Sequence, residues 1–270
     1  MSGNRMRLAL GLTLVALLWS PVGSGALGLA VLALAGAGLL LPAALRHSAL
    51  WAALAGLAGL RVALDWPLPD NHAYLLAYWC LAAALALRAS DPALELAASG
   101  RVLIGLVFGF AFVWKALLSP DFVSGDFQRF VWLTDPRFEL ATMRLGGLSF
   151  DALDANRAFL LGAPGAPGAL ELPPAFRVWT WGATIWTLIA EGALAIAFLA
   201  PQRLTARFRD ALLLGFCVVT YAFAPVAGFA WLLLSMGLAQ ARPGRGWTAA
   251  YLAVAVLVLL YDQMPWSRLV

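Results

Sequence analysis

Charged residues are scarce in this chain. They make up 12% of its 270 residues, whereas hydrophobic residues make up 63%. Soluble domains usually carry about 25% charged residues, so the composition excludes a soluble domain and predicts an integral membrane protein. The net charge of +4 comes from arginines in short clusters between apolar runs. These clusters lack the dense basic face that nucleic-acid binding requires, and no nucleic-acid partner is expected.

Cysteine and histidine are rare as well. Cys80 and Cys217 both lie in apolar runs, where reduced cysteine serves as a small packing residue. The histidines are His47 and His72, and no set of histidine, cysteine and carboxylate residues has the spacing of metal ligands. The sequence therefore predicts no metal site.

Lysine occurs once, at Lys115, inside the apolar run 101–119. An ionisable residue at membrane depth is costly unless it is paired or used in function. Lysine, unlike arginine, can become a neutral amine near physiological pH. Lys115 is therefore a candidate base. The alternative is that its ammonium group simply extends to the outer membrane surface.

Nine apolar runs predict an all-α fold, a polytopic transmembrane helical bundle. The runs are 6–22, 26–45, 49–67, 72–87, 101–119, 178–200, 208–224, 225–241 and 247–264. Several are shorter than the ~20 residues that span a bilayer core. The seventh and eighth runs meet at an Ala-Pro pair and could form one broken helix, so the span count is eight or nine.

The distribution of arginine predicts the orientation of the bundle. With the N-terminus in the cytoplasm, the short inner connections hold ten arginines, whereas the short outer connections hold almost none before Arg268, as the positive-inside rule requires. The inner arginines are Arg5, Arg7, Arg46, Arg88, Arg101, Arg203, Arg207, Arg209, Arg242 and Arg245. We therefore expect a multi-pass protein of a bacterial-type inner membrane with its C-terminus outside. It forms one membrane domain, with helices in 1–119 and 178–270 and an extracytoplasmic loop at 120–177.

The long outer loop at 120–177 contains seven acidic residues and many aromatic ones. Long loops without secondary structure are uncommon, and two short amphipathic helices are predicted, Asp126–Thr134 and 151–161, the second capped by Ser149 or Asp151. A Pro- and Gly-rich linker follows at 162–174. The loop is either functional or only an interfacial lid over the bundle.

Several polar residues are predicted at one depth, near the outer ends of the helices. Lys115 lies about 6 Å below the end of its run at a rise of ~1.5 Å per residue, and Arg61, Asp65, Asn71 and His72 occupy the same level. Arg61 and Asp65, one helical turn apart, could instead only neutralise each other, and His72 could only cap its helix.

Glu191 is predicted to lie deeper than these residues. Counted from the outer end of run 178–200 it is about 20 Å deep, too far from Lys115 for a direct pair unless the helix is broken or tilted. It is either part of a proton relay or a helix–helix hydrogen-bonding residue.

Two short segments resemble a known family. The sequence DNHAYL at 70–75 is similar to an Asn-His-x-Tyr-Leu signature, and KALLSPDFVSG at 115–125 is similar to a lysine, leucine, acidic-aromatic and glycine pattern. Both are typical of membrane proteins related to the vitamin K-dependent gamma-carboxylase, also called the horizontally transferred transmembrane domain (HTTM) family.

The resemblance implies specific roles for residues of the two segments. Lys115 would be the base that deprotonates a reduced lipid quinone of the vitamin K or menaquinone type, with His72 and Asn71 near the reaction centre. Tyr74, Asp121 and Gly125 belong to the matching segments and would support the site or bind the ligand. Arg61, Asp65 and Glu191 join them as supporting residues by their predicted positions.

Two classes of function follow. The first is a quinol-linked enzyme of the carboxylase, epoxidase or monooxygenase type, or its degenerate relative. The second is a non-catalytic quinone- or lipid-binding membrane module that acts with a redox partner, as a DoxX-like protein does. The enzyme is the leading hypothesis, although cysteine or phenylalanine stands in the late helices where the family has a second histidine, so the chain departs there from the pattern for full carboxylation. A transporter is a further alternative, although no inverted repeat is visible.

Overall fold

The protein is all-helical. The computed structural model describes residues 2–20, 22–67, 71–163, 169–223 and 226–263, and these ranges contain helices and no β-strand. The first half comprises α1 (Ser2–Trp19), α2 (Gly25–Leu40), α3 (Pro42–Leu45), α4 (Ser48–Leu64), α5 (Asn71–Ala86), α6 (Pro92–Val113) with a π-helical turn (Trp114–Leu118), and α7 (Pro120–Val123). The second half comprises α8 (Asp126–Thr134), a 3₁₀ turn (Pro136–Phe138), α9 (Glu139–Arg144), α10 (Phe150–Leu160), α11 (Pro174–Leu199), α12 (Gln202–Thr205), α13 (Arg209–Phe223), α14 (Ala227–Gln240) and α15 (Arg245–Asp262).

Each predicted apolar run overlaps a long helix, but several helices begin before their runs. Helix α6 begins at Pro92 instead of residue 101, after the Asp91 cap, and α11 begins at Pro174 instead of residue 178. By length and composition two of the helices can cross a membrane, Pro92–Leu118 and Pro174–Leu199. Five more apolar helices are shorter, at 25–40, 48–64, 72–86, 227–240 and 245–261. The all-α prediction is confirmed, and the protein has at least two helices suited to a membrane. The seventh and eighth runs form separate helices, α13 and α14.

Helix α14 lies at the centre of the bundle. Every residue from Ala230 to Gln240 is buried, and α1, α6, α13 and α15 pack around it. A helix that is apolar on all sides needs neighbours on all sides, which explains the central position of α14.

Helices α6 and α11 pack closely and antiparallel. Gly105 faces Phe198 and Leu199, and Gly109 faces Ala195. Residues later in α6 thus contact residues earlier in α11, as in an antiparallel pair. A Gly-x-x-x-Gly pair lets two helix backbones approach closely. Nearer the end of α6, the Phe112 ring covers Gly192.

The loop at 120–177, predicted to be the outer loop, has a hydrophobic cluster of its own. Trp132, Leu133, Phe138, Leu148, Leu153 and Phe176 form it. Helix α8 has the predicted bounds, and α10 begins one residue earlier than predicted, with Ser149 as the cap that accepts a hydrogen bond from the Ala152 amide at 3.2 Å. The first turns of α11 supply Phe176, so α11 extends beyond the bundle into the loop.

A tight contact in the core gives a first prediction. A Cβ atom added at Gly237 would lie 2.4 Å from Tyr251 Cε1 and 2.8 Å from Leu213 Cδ2. Gly237→Ala should therefore destabilise the protein by about 1–3 kcal/mol, as overpacking does. Thermal unfolding in detergent measures the change, and Gly59→Ala is the control because nothing lies within 4 Å of its added Cβ. Equal midpoints for the two variants would contradict this packing.

Candidate functional site

A cavity of about 500 Å³ opens among the ends of α1, α4, α5 and α14. Apolar residues such as Leu17, Leu76 and Leu232 form much of its wall. Its polar lining residues are Thr13, Ser20, Arg61, Asp65, His72 and Arg137. This mixture of an apolar wall and a few convergent polar groups is typical of small-molecule sites.

His72 forms an aromatic wall of the cavity. It lies in the first turn of α5, and its ring stacks on Phe229 with 4.3 Å between centroids and 23° between planes. Phe229 lies in the first turn of α14. Both residues belong to the cavity lining.

An ion pair lies in the wall beside these rings. Arg61, in the last turn of α4, pairs through Nε with Asp65 Oδ2, one turn further on. The backbone amide of Asp65 also donates a hydrogen bond to the Arg61 carbonyl at 3.0 Å. The pair brings fixed dipoles into the cavity without adding net charge.

Arg137 reaches the cavity from the outer loop. The Asp135 carboxylate accepts hydrogen bonds from the Arg137 amide and Nε, both at 3.0 Å. Partial burial disfavours the charged carboxylate, but the hydrogen bonds and charge of Arg137, with a smaller contribution from Arg157, lower the pKa of Asp135 below its ordinary value. Asp135 thus orients a cavity residue that the loop supplies.

The lowered pKa of Asp135 gives a pH-dependent prediction. Asp135→Asn keeps the side-chain shape and removes the charge, so it should destabilise the loop by about 1 kcal/mol at pH 7. The ordinary pKa of aspartate is about 3.9. The stabilisation from a carboxylate with a lowered pKa is present above that value and is lost as pH falls through the folded-state pKa.

Limited proteolysis of the loop at several pH values measures this effect. The variant should be cut faster than wild type at pH 7, and the difference should shrink below pH ~4. Asp154→Asn is the control because Asp154 is exposed. A difference that stays constant with pH would show that the charge of Asp135 contributes nothing.

Lys115 is paired with Glu191. Its Nζ donates to Glu191 Oε1 and also lies 5.4 Å from the centroid of the Phe122 ring. The side chains are 25% and 9% exposed. Lys115 lies in the π-helical turn that ends the long helix, and such turns occur often at functional sites.

This pairing corrects the expectation that Glu191 lies too deep for direct contact. The expectation assumed that both helices end at the same level. Instead the antiparallel contacts set Lys115 beside Glu191, so about 20 Å of α11 extends beyond the end of the π-helical turn. That extension packs on α8 and contributes Phe176 to the loop cluster.

Two buried oxygen atoms at this pair have no hydrogen-bond partner in the described part of the chain. They are Glu191 Oε2 and the Tyr221 hydroxyl, and the two residues interact electrostatically. Ring contacts connect Tyr221 to Phe216, Phe216 to Phe108, and Phe108 to Phe229. The Lys115–Glu191 pair and the cavity are therefore joined through a packed aromatic core.

The structure thus divides the predicted site in two. Arg61, Asp65 and His72 line the cavity, whereas Lys115 and Glu191 are outside its described lining. Asn71 begins α5, and its side chain lies outside the described part of the structure.

The other predicted site residues are outside the cavity lining as well. Tyr74 is half-buried on α5. Asp121 is exposed and accepts a hydrogen bond from Ser119 Oγ at 2.6 Å. Gly125 precedes α8 with φ at +83°, a conformation that favours glycine. The backbone at this position therefore accounts for a glycine without a role in ligand binding.

Sequence reasoning missed Phe229, Arg137 and Tyr221. Phe229 and Tyr221 lie in apolar runs without any local signal, and Arg137 is one of several loop arginines. Among the described residues no group of three histidine, cysteine or carboxylate side chains could hold a metal ion. Comparisons with family models, with curated proteins and with solved structures give no match.

Proposed function

We propose that the chain is a multi-pass membrane protein that binds a lipid-soluble quinone, or a lipid of similar shape, in the cavity beside His72. The large apolar side chains that face outward on the helices support the membrane assignment. Leu40, Leu117, Phe110 and Val178 are 82%, 73%, 71% and 73% exposed. Soluble proteins rarely expose so many large apolar groups together.

The arrangement of arginines supports the proposed orientation. Arg5 contacts the carbonyl of Ala241, and Arg209 that of Gln240. Both acceptors are at the end of α14 opposite to Phe229. A basic inner end would place the cavity at the outer side of an inner membrane, with the N-terminus in the cytoplasm.

The stack of His72 on Phe229 is the observation that favours a quinone. A planar ring can stack on these aromatic side chains, and its oxygens can accept hydrogen bonds from the arginine side of the cavity. The apolar wall suits the isoprenoid tail. Such a ligand reaches the cavity from the lipid, which agrees with the apolar outer surface of the helices.

Quinone retention tests this proposal. The protein is purified in mild detergent from menaquinone-containing membranes, and the extract is quantified by mass spectrometry. We expect near-stoichiometric menaquinone that an added short-chain quinone displaces. Two results together would refute the proposal: a menaquinone content no higher than that of an unrelated membrane protein, and no binding of the short-chain quinone.

A quinol-oxidising enzyme with Lys115 as base is the second candidate, and the π-helical turn at Lys115 is the observation that favours it. To act as a base, Lys115 must first pass its proton to Glu191 or separate from it, and the ligand must reach this pair. Oxygen uptake with reduced menaquinone distinguishes the candidates. Uptake that Lys115→Met abolishes, in a sample that remains folded and still binds menaquinone, would favour the enzyme. Binding without uptake in the wild type favours the non-catalytic module with a redox partner.

A further inference from the structure

Four arginines meet at the end of the bundle opposite to the cavity. Arg5 comes from α1, Arg101 from α6, Arg209 from α13 and Arg242 from the residues after α14. Arg101 Nη1 donates to the carbonyl of Phe198 at 3.3 Å, and Arg209 Nη2 to that of Gln240 at 3.4 Å. We call these four residues the arginine cluster. Their main hydrogen-bond acceptors are neutral carbonyls near helix C-termini.

One carboxylate, Asp210, contacts the cluster in the described part of the chain, and its oxygens are already used. It is fully buried. Asp210 Oδ1 accepts from Gln240 Nε2 at 2.8 Å and from the Tyr251 hydroxyl at 2.9 Å, and Oδ2 accepts from the Arg242 amide at 3.1 Å. Arg242 Nε lies 3.5 Å from Oδ2. A single engaged carboxylate cannot balance four guanidinium groups.

Several buried donors at the cluster have no hydrogen-bond partner among the described residues. Arg209 is 5% exposed, and the donors concerned are its Nε and Nη1, Arg101 Nε and the hydroxyl of Thr205, four residues before Arg209. Arg101 and Arg242 also repel Arg209 electrostatically. Unpaired buried donors and close like charges both destabilise a fold. A bound anion would remove both costs at once.

We propose that the arginine cluster binds a phosphate-class oxyanion. Guanidinium groups bind phosphate with two parallel hydrogen bonds. Arg242, whose side chain is 31% exposed, and the partly exposed Arg101 connect the buried Arg209 to the surface. The source of the phosphate is the headgroup of an anionic phospholipid or free phosphate. The lipid source rests on the proposed membrane location, whereas the free-phosphate source does not.

Native mass spectrometry and thermal unfolding of the full chain in detergent test the site. The probes are phosphatidylglycerol, phosphatidylcholine and inorganic phosphate. We expect phosphatidylglycerol to bind at least tenfold more tightly than phosphatidylcholine and to raise the unfolding midpoint. Arg209→Gln should lose most of this preference. Arg88→Gln is the matched control, because Arg88 is an exposed arginine of an inner connection outside the cluster.

The outcomes are distinct. Stabilisation by inorganic phosphate without a lipid preference, lost in Arg209→Gln, would support the oxyanion site with free phosphate as its source. Equal binding of the two lipids and no effect of phosphate would overturn the proposal, as would equal losses in both variants. If Arg209→Gln does not fold, Arg101→Gln takes its place, since Arg101 makes no contact with Asp210 in the structure. Arg209→Gln should leave menaquinone retention unchanged, which separates this test from that of the cavity.

Discussion

Lys115→Met is expected to destabilise the protein by about 3 kcal/mol. Methionine keeps the length and apolar stem of lysine and removes the ammonium group that pairs with Glu191. The Glu191 side chain is 9% exposed, and its second oxygen already lacks a partner. The substitution therefore leaves a buried carboxylate without any compensating charge. Thermal or denaturant unfolding in nanodiscs or mild detergent measures the loss.

The double variant Lys115→Met with Glu191→Leu should recover most of this loss, because replacing both members of a buried pair by apolar residues is often nearly neutral. Arg129→Met is a control in an exposed pair, since its partner Asp126 is 62% exposed. It should change stability by less than about 1 kcal/mol. Two results would show that the pair does not form in the protein. In one, Lys115→Met is as stable as wild type; in the other, the double variant is as unstable as Lys115→Met.

Phe229→Ala is expected to weaken quinone binding about 30-fold. Removing the ring eliminates a stacking contact worth about 1 kcal/mol and a comparable amount of apolar contact with the ligand, and each 1.4 kcal/mol changes affinity tenfold. His72 also loses the ring against which it packs. A short-chain menaquinone titrated into protein in nanodiscs gives the dissociation constant.

Phe110→Ala is the matched control for this experiment. Phe110 is 71% exposed on the outward face of α6, so its removal changes apolar area without touching the cavity. The dissociation constant of the Phe110→Ala variant for menaquinone should stay within about twofold of the wild-type value. Equal weakening by both phenylalanine substitutions would indicate non-specific partitioning of the quinone. No weakening by Phe229→Ala would place the ligand elsewhere.

Much of the fold follows from local sequence. Apolar runs of sufficient length form helices because the backbone must satisfy its own hydrogen bonds where water is absent. Ser149 marks the start of α10 in the same local way, and Pro92 after the Asp91 cap marks the true start of α6. The predicted start at 101 is wrong, because hydropathy marks only the apolar part of the helix and the first turns of α6 include the charged Glu95.

Local sequence does not predict the Lys115–Glu191 pair. A depth counted from the end of each apolar run is comparable between two helices only if their ends lie at the same level, which the sequence does not show. The glycines of α6 set the relative position of α6 and α11, and the loop cluster holds the extended end of α11. Both are tertiary effects, absent from either helix sequence alone.

The cavity is predictable from the sequence only in part. Counting residues along the helices places Arg61, Asp65 and His72 at one level, and these three residues line one cavity. Phe229 and Arg137 come from distant parts of the chain, and only the packing of α14 and the loop brings them there. Hydropathy cannot tell which phenylalanine of an apolar run faces a ligand.

Photoaffinity labelling with an azido-menaquinone tests the quinone site most directly. The probe is activated on the protein in nanodiscs, and labelled peptides are identified by mass spectrometry with and without excess menaquinone. We expect displaceable labelling at the cavity ends of α1, α5 and α14, around Ser20, His72 and Phe229. Labelling that excess menaquinone does not displace, or that falls instead beside Lys115 and Glu191, would contradict the cavity as the quinone site.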